Sequence, residues 1–167
     1  MIQIFLSIGA IVLLSIATLS MNRGFEANDE VMRSSKYAVI ATSLAASVIE
    51  DAAGMAFDDI TADSMVTDPS GLTSPGYLGL ESGESIHTAD DFDDFNNYSQ
   101  YDTVDVGGVF NKVVFLTSAT ITYVASSSPQ TTSTSATMFK KISVSVTCPV
   151  MTETIRQEMV FSYFRFQ

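Results

Sequence analysis

MIQIFLSIGAIVLLSIATLSM, residues 1–21, contains no charged side chain, and Arg23 is the first charge in the chain. A helix rises about 1.5 Å per residue, so roughly 20 apolar residues cross a bilayer core of about 30 Å. The run has that length. Helical spacing then continues in a milder, alanine-rich form: Val31, Ser34, Ser35, Ala38, Ala41, Leu44, Ala45, Val48, Ala52 and Met55 or Ala56 recur at steps of three and four. This is an amphipathic stripe for burial, and its alanines let a neighbour approach closely. Residues 1–57 therefore read as one helix of about 85 Å. Residues 1–21 form its membrane or filament-core segment and 25–57 its amphipathic half. Asn22, Arg23 and Gly24 mark a weak point at the junction, where interruption or melting is expected, since Gly costs about 1 kcal/mol relative to Ala inside a helix.

A secretory signal would carry a basic n-region, a shorter apolar core and an Ala-x-Ala cleavage site. Nothing basic precedes this run except the α-amino group, and Ile16-Ala17-Thr18-Leu19-Ser20 is a poor cleavage site. The segment is expected to be retained.

The chain has 167 residues, a net charge of −11, a pI near 4.2 and a mean hydropathy of +0.25. Nucleic-acid binding needs a basic footprint, which is absent. Fourteen Asp or Glu residues lie between Glu50 and Asp105, and no Lys or Arg occurs from Tyr37 to Asn111. Such a block reads as a solvated, extracellular face. Cys148 is the only cysteine, so no intrachain disulfide forms. It alternates with Ile142, Val144 and Val146 and reads as a buried apolar residue. His87 is the only histidine and sits in a polar stretch. Neither a nucleophile–base pair nor a Gly-rich phosphate loop is present, so neither an enzyme nor a cofactor is expected.

Residues 58–109 form an acidic, variable loop region, with turn signals at Asp68-Pro69-Ser70-Gly71 and Ser74-Pro75-Gly76. A short strand at Tyr77–Leu80 and one helical turn within 86–95, capped by Thr88 or Asp90, are the only regular pieces expected there. Asp90, Asp91, Asp93 and Asp94 offer oxygen ligands for Ca²⁺, without the spacing, Gly or terminal Glu of an EF-hand. A solvated loop anchored by Phe92, Phe95 and Tyr98 is the simpler expectation.

From 110 to 167 the period becomes two. Val113, Phe115, Thr117, Ala119, Ile121 and Tyr123 share one face; Ile142, Val144, Val146 and Cys148 a second; Met159, Phe161 and Tyr163 a third. These predict an antiparallel β-meander of half-buried strands. Val160, Phe164 and Phe166 put apolar groups on the other face of the last strand, as a covering partner would require. The fold class is thus α+β: a long N-terminal helix packed on a small C-terminal antiparallel sheet of three to four strands. In the Ser/Thr-rich link between the first two strands, Ser126, Ser127, Ser128, Thr131 and Thr132 are candidates for O-glycosylation.

This layout resembles the type IV pilin superfamily, which includes pilins, type II secretion pseudopilins and related filament subunits. The resemblance is carried by Ala41-Thr42-Ser43-Leu44-Ala45-Ala46-Ser47-Val48-Ile49-Glu50-Asp51 followed by Ala56-Phe57-Asp58-Asp59, by the strand Lys140–Thr147, and by the final strand Gln157–Phe166. It implies a structural subunit that polymerises through its apolar helix, with Met1, Ile2, Phe5, Leu6, Gly9, Ile11, Leu13, Leu14 and Ile16 packing in the filament core. Its partners would be copies of itself in a helical filament, the inner (cytoplasmic) membrane before assembly, and a pilus or secretion assembly machinery, with no nucleic acid. It would act at the cell surface. A minor pilin or pseudopilin, or a single-pass membrane-anchored domain that never polymerises, are the alternatives. Two departures stand out. The basic leader of the family is absent, so Met1 would be the mature first residue. Most members carry a glutamate at the fifth mature position, thought to pair with a neighbour's N-terminal amine; this chain has Phe5.

Overall fold

The computed structural model describes residues 2–107 and 112–165. The chain divides into two compact units, Met1–Val39 and Ile40–Gln167. The fold is α+β, with helix α1 (Ile2–Ala53) and an antiparallel sheet of five strands.

Within the first unit α1 is helical through Asn22, Arg23 and Gly24 without a break in the unassembled chain. A Cβ at Gly24 would meet nothing within 4 Å, so the glycine answers to no close neighbour here. Ser7, Ser15 and Thr18 donate their hydroxyls to the carbonyls of Gln3, Ile11 and Leu14, four residues back. The few polar groups of the apolar run are thereby satisfied by their own helix. Val31, Ser34 and Ser35, counted in the burial stripe, are exposed.

Within the second unit the stripe holds. Ala41, Ala45, Val48 and Ala52 are buried, joined by Ile49. The helix ends at Ala53, four residues before the expected limit. Gly54 N–H donates to both Glu50 and Asp51 carbonyls, and Met55 N–H to Ala52. The backbone of Ala56 then leaves the helix to pair with Asp90 and Phe92, at 3.2 and 2.8 Å. Phe57 and Asp58 are carried into the core. A short helix α2 (Asp59–Asp63) follows, its start tied by Asp58 N–H to Thr61 Oγ1 at 3.0 Å.

The sheet is ordered β1 (Ser99–Asp105), β2 (Lys112–Ala125), β4 (Phe139–Thr147), β5 (Ile155–Ser162), with β3 (Ser128–Thr132) extending the end of β2. Strands β2, β4 and β5 are the predicted meander. In β2 the residues Val113, Phe115, Thr117, Ala119, Ile121 and Tyr123 face inward, as the period of two requires. With β1 and β3 the sheet has five strands, one more than the upper expected count of four. SQYDTVD and SPQTT lack an apolar face, because one is a sheet edge and the other a short, mostly exposed hairpin arm. The inward face of the last strand is only partly as expected: Phe161 is buried, Met159 is largely exposed, and buried Tyr163 lies beyond β5 in a 3₁₀ turn. Phe164 is exposed, and Phe166 lies outside the described residues.

Two local expectations fail. No strand forms at Tyr77–Leu80; Leu78 is instead held singly, its carbonyl accepting from Asn96 Nδ2 at 2.9 Å. The helical turn is a 3₁₀ turn at Asp93–Phe95, capped by neither Thr88 nor Asp90. Thr88 closes an earlier turn with Ser85, and Asp91 supplies the acceptor for the Asp93–Phe95 turn.

Candidate functional sites: an apolar helix surface and a buried lysine among carboxylates

The first site is the surface of α1 in the first unit. Ile2, Phe5, Leu6, Gly9, Ile11, Leu13, Leu14 and Ile16 are all exposed; Ile2, Phe5, Leu6, Gly9, Leu13 and Ile16 share one stripe, Ile11 and Leu14 lie on the other side, and exposed Ile4, Ile8, Val12 and Leu19 complete an apolar surface all round. Met1 lies outside the described residues. An 18-residue window reaches a mean hydropathy of 2.3, and none of it is buried. A helix apolar all round needs an apolar surrounding, either lipid or other protein. α1 is long and apolar enough to cross a membrane.

The second site lies in the core of the second unit and was not anticipated. Lys140 sits in β4 at an inward position, in phase with Ile142, Val144 and Val146, and is fully buried. Its cross-strand partners are Tyr123 on β2 and Phe161 on β5. The ammonium donates to the Phe57 carbonyl at 2.6 Å, to Asp58 Oδ2 at 3.0 Å and to Asp93 Oδ1. It also stands over the Phe57 ring, 4.6 Å from the centroid.

Four carboxylates, those of Asp58, Asp91, Asp93 and Asp94, are buried with this one ammonium. The expectation that the acidic loop is solvated is therefore wrong at its centre. The anchors Phe92 and Phe95 are buried as read, and they draw the intervening acids inward with them. Asp58 is well satisfied. It accepts from Thr73 N–H, from the Thr73 hydroxyl at 3.1 Å and from Lys140. The Tyr123 hydroxyl lies 2.8 Å from Thr73 O and 3.2 Å from Asp58 Oδ2, and its single proton serves one of them at a time. Burial, with Asp58 and Asp93 nearby, pushes the Tyr123 phenol up.

Asp91 and Asp94 cap each other's backbone. Asp91 Oδ1 accepts from Asp93 and Asp94 N–H, and Asp94 Oδ2 accepts from Asp90 and Asp91 N–H. Asp91 Oδ2, Asp93 Oδ2 and Asp94 Oδ1 have no hydrogen-bond partner among the described residues. Desolvation, reinforced by the charge of Asp93, pushes Asp91 up to about 7. Desolvation also lifts Asp93, to about 6, against the opposing pull of Lys140.

The four acids named for Ca²⁺ are not brought together as a ligand set. Asp93 turns to Lys140, Asp91 and Asp94 turn to backbone amides, and Asp90 is exposed. A different trio, Glu81, Glu84 and Asp94, has carboxylate oxygens within 4.8 Å of one another. The two glutamates meet across a turn closed by Glu84 N–H to Glu81 O, with Gly83 at φ +100. Sharing a hydrogen bond with Glu84 pushes Glu81 up to about 8. A proton there relieves the repulsion that a cation would otherwise relieve.

Comparison with protein-family models, curated proteins and solved structures gives no match. The functional reading therefore rests on this chain's own residues.

Ser126 and Ser127 form the exposed β2–β3 turn. Ser128 is half-buried, with its hydroxyl 3.0 Å from that of Thr131, while Thr131 and Thr132 are exposed on β3. Cys148 is buried and free. Lys140 was legible in principle: extending the alternation of Ile142, Val144 and Val146 by one step back places a lysine inside, and a lysine at an inward strand position calls for a buried acid.

Proposed function

We propose that the chain is a structural subunit of an extracellular pilus-like filament, held in the cytoplasmic membrane before assembly and polymerising through its apolar N-terminal helix. The supporting observation is the all-round exposure of the apolar residues between Ile2 and Met21 on a helix whose hydroxyls are satisfied internally. Such a surface suits lipid before extraction and a bundle of like helices afterwards. Ser7, Gly9, Ala10, Ser15 and Ala17 supply the small side chains that let helices approach closely. Head-to-tail association of identical subunits that does not close gives a filament. The alanine-rich stripe supports the same reading, since Ala41, Ala45 and Ala52 bring the end of the helix close to the second unit's core.

The test is electron microscopy and mass spectrometry of material sheared from the cell surface. The reading expects filaments containing this chain. Chain recovered only as a detergent-soluble monomer from membranes would instead identify a single-pass anchored domain. Filaments in which it is a trace component would identify a minor pilin or pseudopilin.

A further inference from the structure

We propose that Lys140 and Asp93 are joined by an intramolecular amide bond between Nζ and Cγ, formed after folding with Asp58 as the proton carrier. The inference is independent of the filament reading, because it rests on the second unit's core alone.

Three observations carry it. First, the reacting groups are in place. Lys140 Nζ is in direct contact with Asp93 Oδ1, and both side chains are buried. Holding the two groups in contact gives effective concentrations of about 10⁵–10⁸ M for a well-oriented pair, which makes an otherwise slow bimolecular condensation feasible. Second, the pair is shut away from solvent, with both side chains buried. Phe57 and Tyr123 rings stand 4.6 and 5.3 Å from the ammonium, and Phe92, beside Asp93, packs edge-on against Phe161, the strand partner of Lys140. With bulk water excluded, the water released by condensation has no surrounding solvent to reverse the step, and the reacting groups keep their contact. Third, Asp58 is positioned to move the proton. Its Oδ2 is 3.0 Å from Nζ, while Thr73 holds the carboxylate in a fixed orientation. Asp93 Oδ2, in contrast, has no hydrogen-bond partner among the described residues. Condensation removes one of the two Asp93 oxygens, so the orphan disappears as the bond forms.

The step balances without a co-reactant. The ammonium of Lys140 passes a proton to Asp93, leaving an amine and a carboxylic acid. The Nζ lone pair attacks Cγ. Asp58 takes one proton from the attacking nitrogen and returns it to the departing hydroxyl. The C–O bond breaks, the C–N bond remains, and one water leaves. No electrons are gained or lost. The product ties the Asp93–Phe95 turn to the middle of the sheet across 47 residues of sequence, so the acidic loop region cannot peel away from β4 without breaking a covalent bond.

The experiment is intact-mass measurement of the denatured full-length chain, extracted in detergent, with tandem spectrometry of its proteolytic fragments. The expected mass is that of the same chain less one water, and the expected fragment joins the peptides containing Asp93 and Lys140. Lys140→Arg keeps the positive charge but is expected to show the full mass. Asp58→Asn, checked for native circular dichroism, is expected to fold and to accumulate the amide at least tenfold more slowly. A folded wild-type chain with its full mass overturns the proposal, as does a loss of water that maps elsewhere. A folded Asp58→Asn chain that forms the amide at the wild-type rate overturns the role given to Asp58.

Discussion

Replacing Lys140 by Met removes the cation that pairs with Asp58 and Asp93 in the buried acid cluster while keeping the apolar stem in place. Asp58 retains the Thr73 donors and the Tyr123 hydroxyl within reach, but Asp93 loses its only side-chain partner among the described residues. The orphaned acid avoids carrying a buried charge by taking up a proton. That limits the cost to the free energy of protonating a group whose unfolded pKa is near 3.8. At 1.36 kcal/mol per pH unit the cost is about 4 kcal/mol at pH 7 and about 2 kcal/mol at pH 5. The reference is the double variant Lys140→Met/Asp93→Asn, in which the acid is already neutral. Neither variant can form the Lys140–Asp93 amide, so the comparison isolates electrostatics. The assay is urea denaturation of the full-length chain in detergent micelles, followed by near-ultraviolet circular dichroism of its six tyrosines. The single variant should be less stable than the double by about 4 kcal/mol at pH 7, shrinking by about half at pH 5. A difference under about 1 kcal/mol at pH 7, or one independent of pH, would refute the argument that Asp93 is forced neutral by burial.

The remaining predictions follow from single features. Asp91 titrates near 7 when folded and near 3.8 when unfolded, so between these values the folded chain holds a proton that the unfolded chain has released. Its contribution is full below about pH 4 and is lost as pH rises through 7, so urea midpoints should rise on acidification from pH 8 to 5; burial is the leading cause of the shift, so the direction is the same with Lys140 and Asp93 free or joined. Tyr123→Phe leaves the Thr73 carbonyl without its 2.8 Å donor and should cost about 1–3 kcal/mol in the same denaturation assay. Ala45→Leu places three extra heavy atoms where Ala45 is fully buried and should cost about 1–3 kcal/mol, whereas Val39→Ala on the exposed side should be near neutral. Phe5→Leu keeps the apolar surface and should leave sheared filament yield unchanged, while Phe5→Glu should block assembly unless the new carboxylate reaches a neighbour's amine; loss of filaments with Leu and gain with Glu would restore charge pairing over packing.

The N-terminal helix and the three central strands were legible because their periods are long and their faces strongly apolar. Ile2 to Met21 needs no tertiary information, and Val113 to Tyr123 alternates over eleven residues. The end of α1 was not legible. Gly54 signals a stop, but the alanines around it carry the helical pattern on, and only the pairing of Ala56 with Asp90 and Phe92 decides the matter. Strand β1 was hidden for the opposite reason: an edge strand with one ladder partner needs no apolar face, so Ser99–Asp105 looks like loop.

The buried acids show where local reading fails for a physical reason. Charge in a sequence is scored residue by residue, and Asp90-Asp91-Phe92-Asp93-Asp94-Phe95 scores as solvated on four of six positions. Burial is decided jointly. Phe92 and Phe95 are held at 0% and 4% exposure, and a tight 3₁₀ turn leaves the acids between them no path to water. Such a turn is tolerable only if its carboxylates find donors. Asp91 and Asp94 find backbone amides within four residues, which a local motif can encode. Asp93 finds its donor 47 residues later, on a strand where one lysine falls in phase with three aliphatic residues. The two halves of that device are individually anomalous: an acid flanked by core phenylalanines and a lysine on the inner face of a strand. Each anomaly explains the other, and pairing such anomalies across a sequence is the reading that would have found the site.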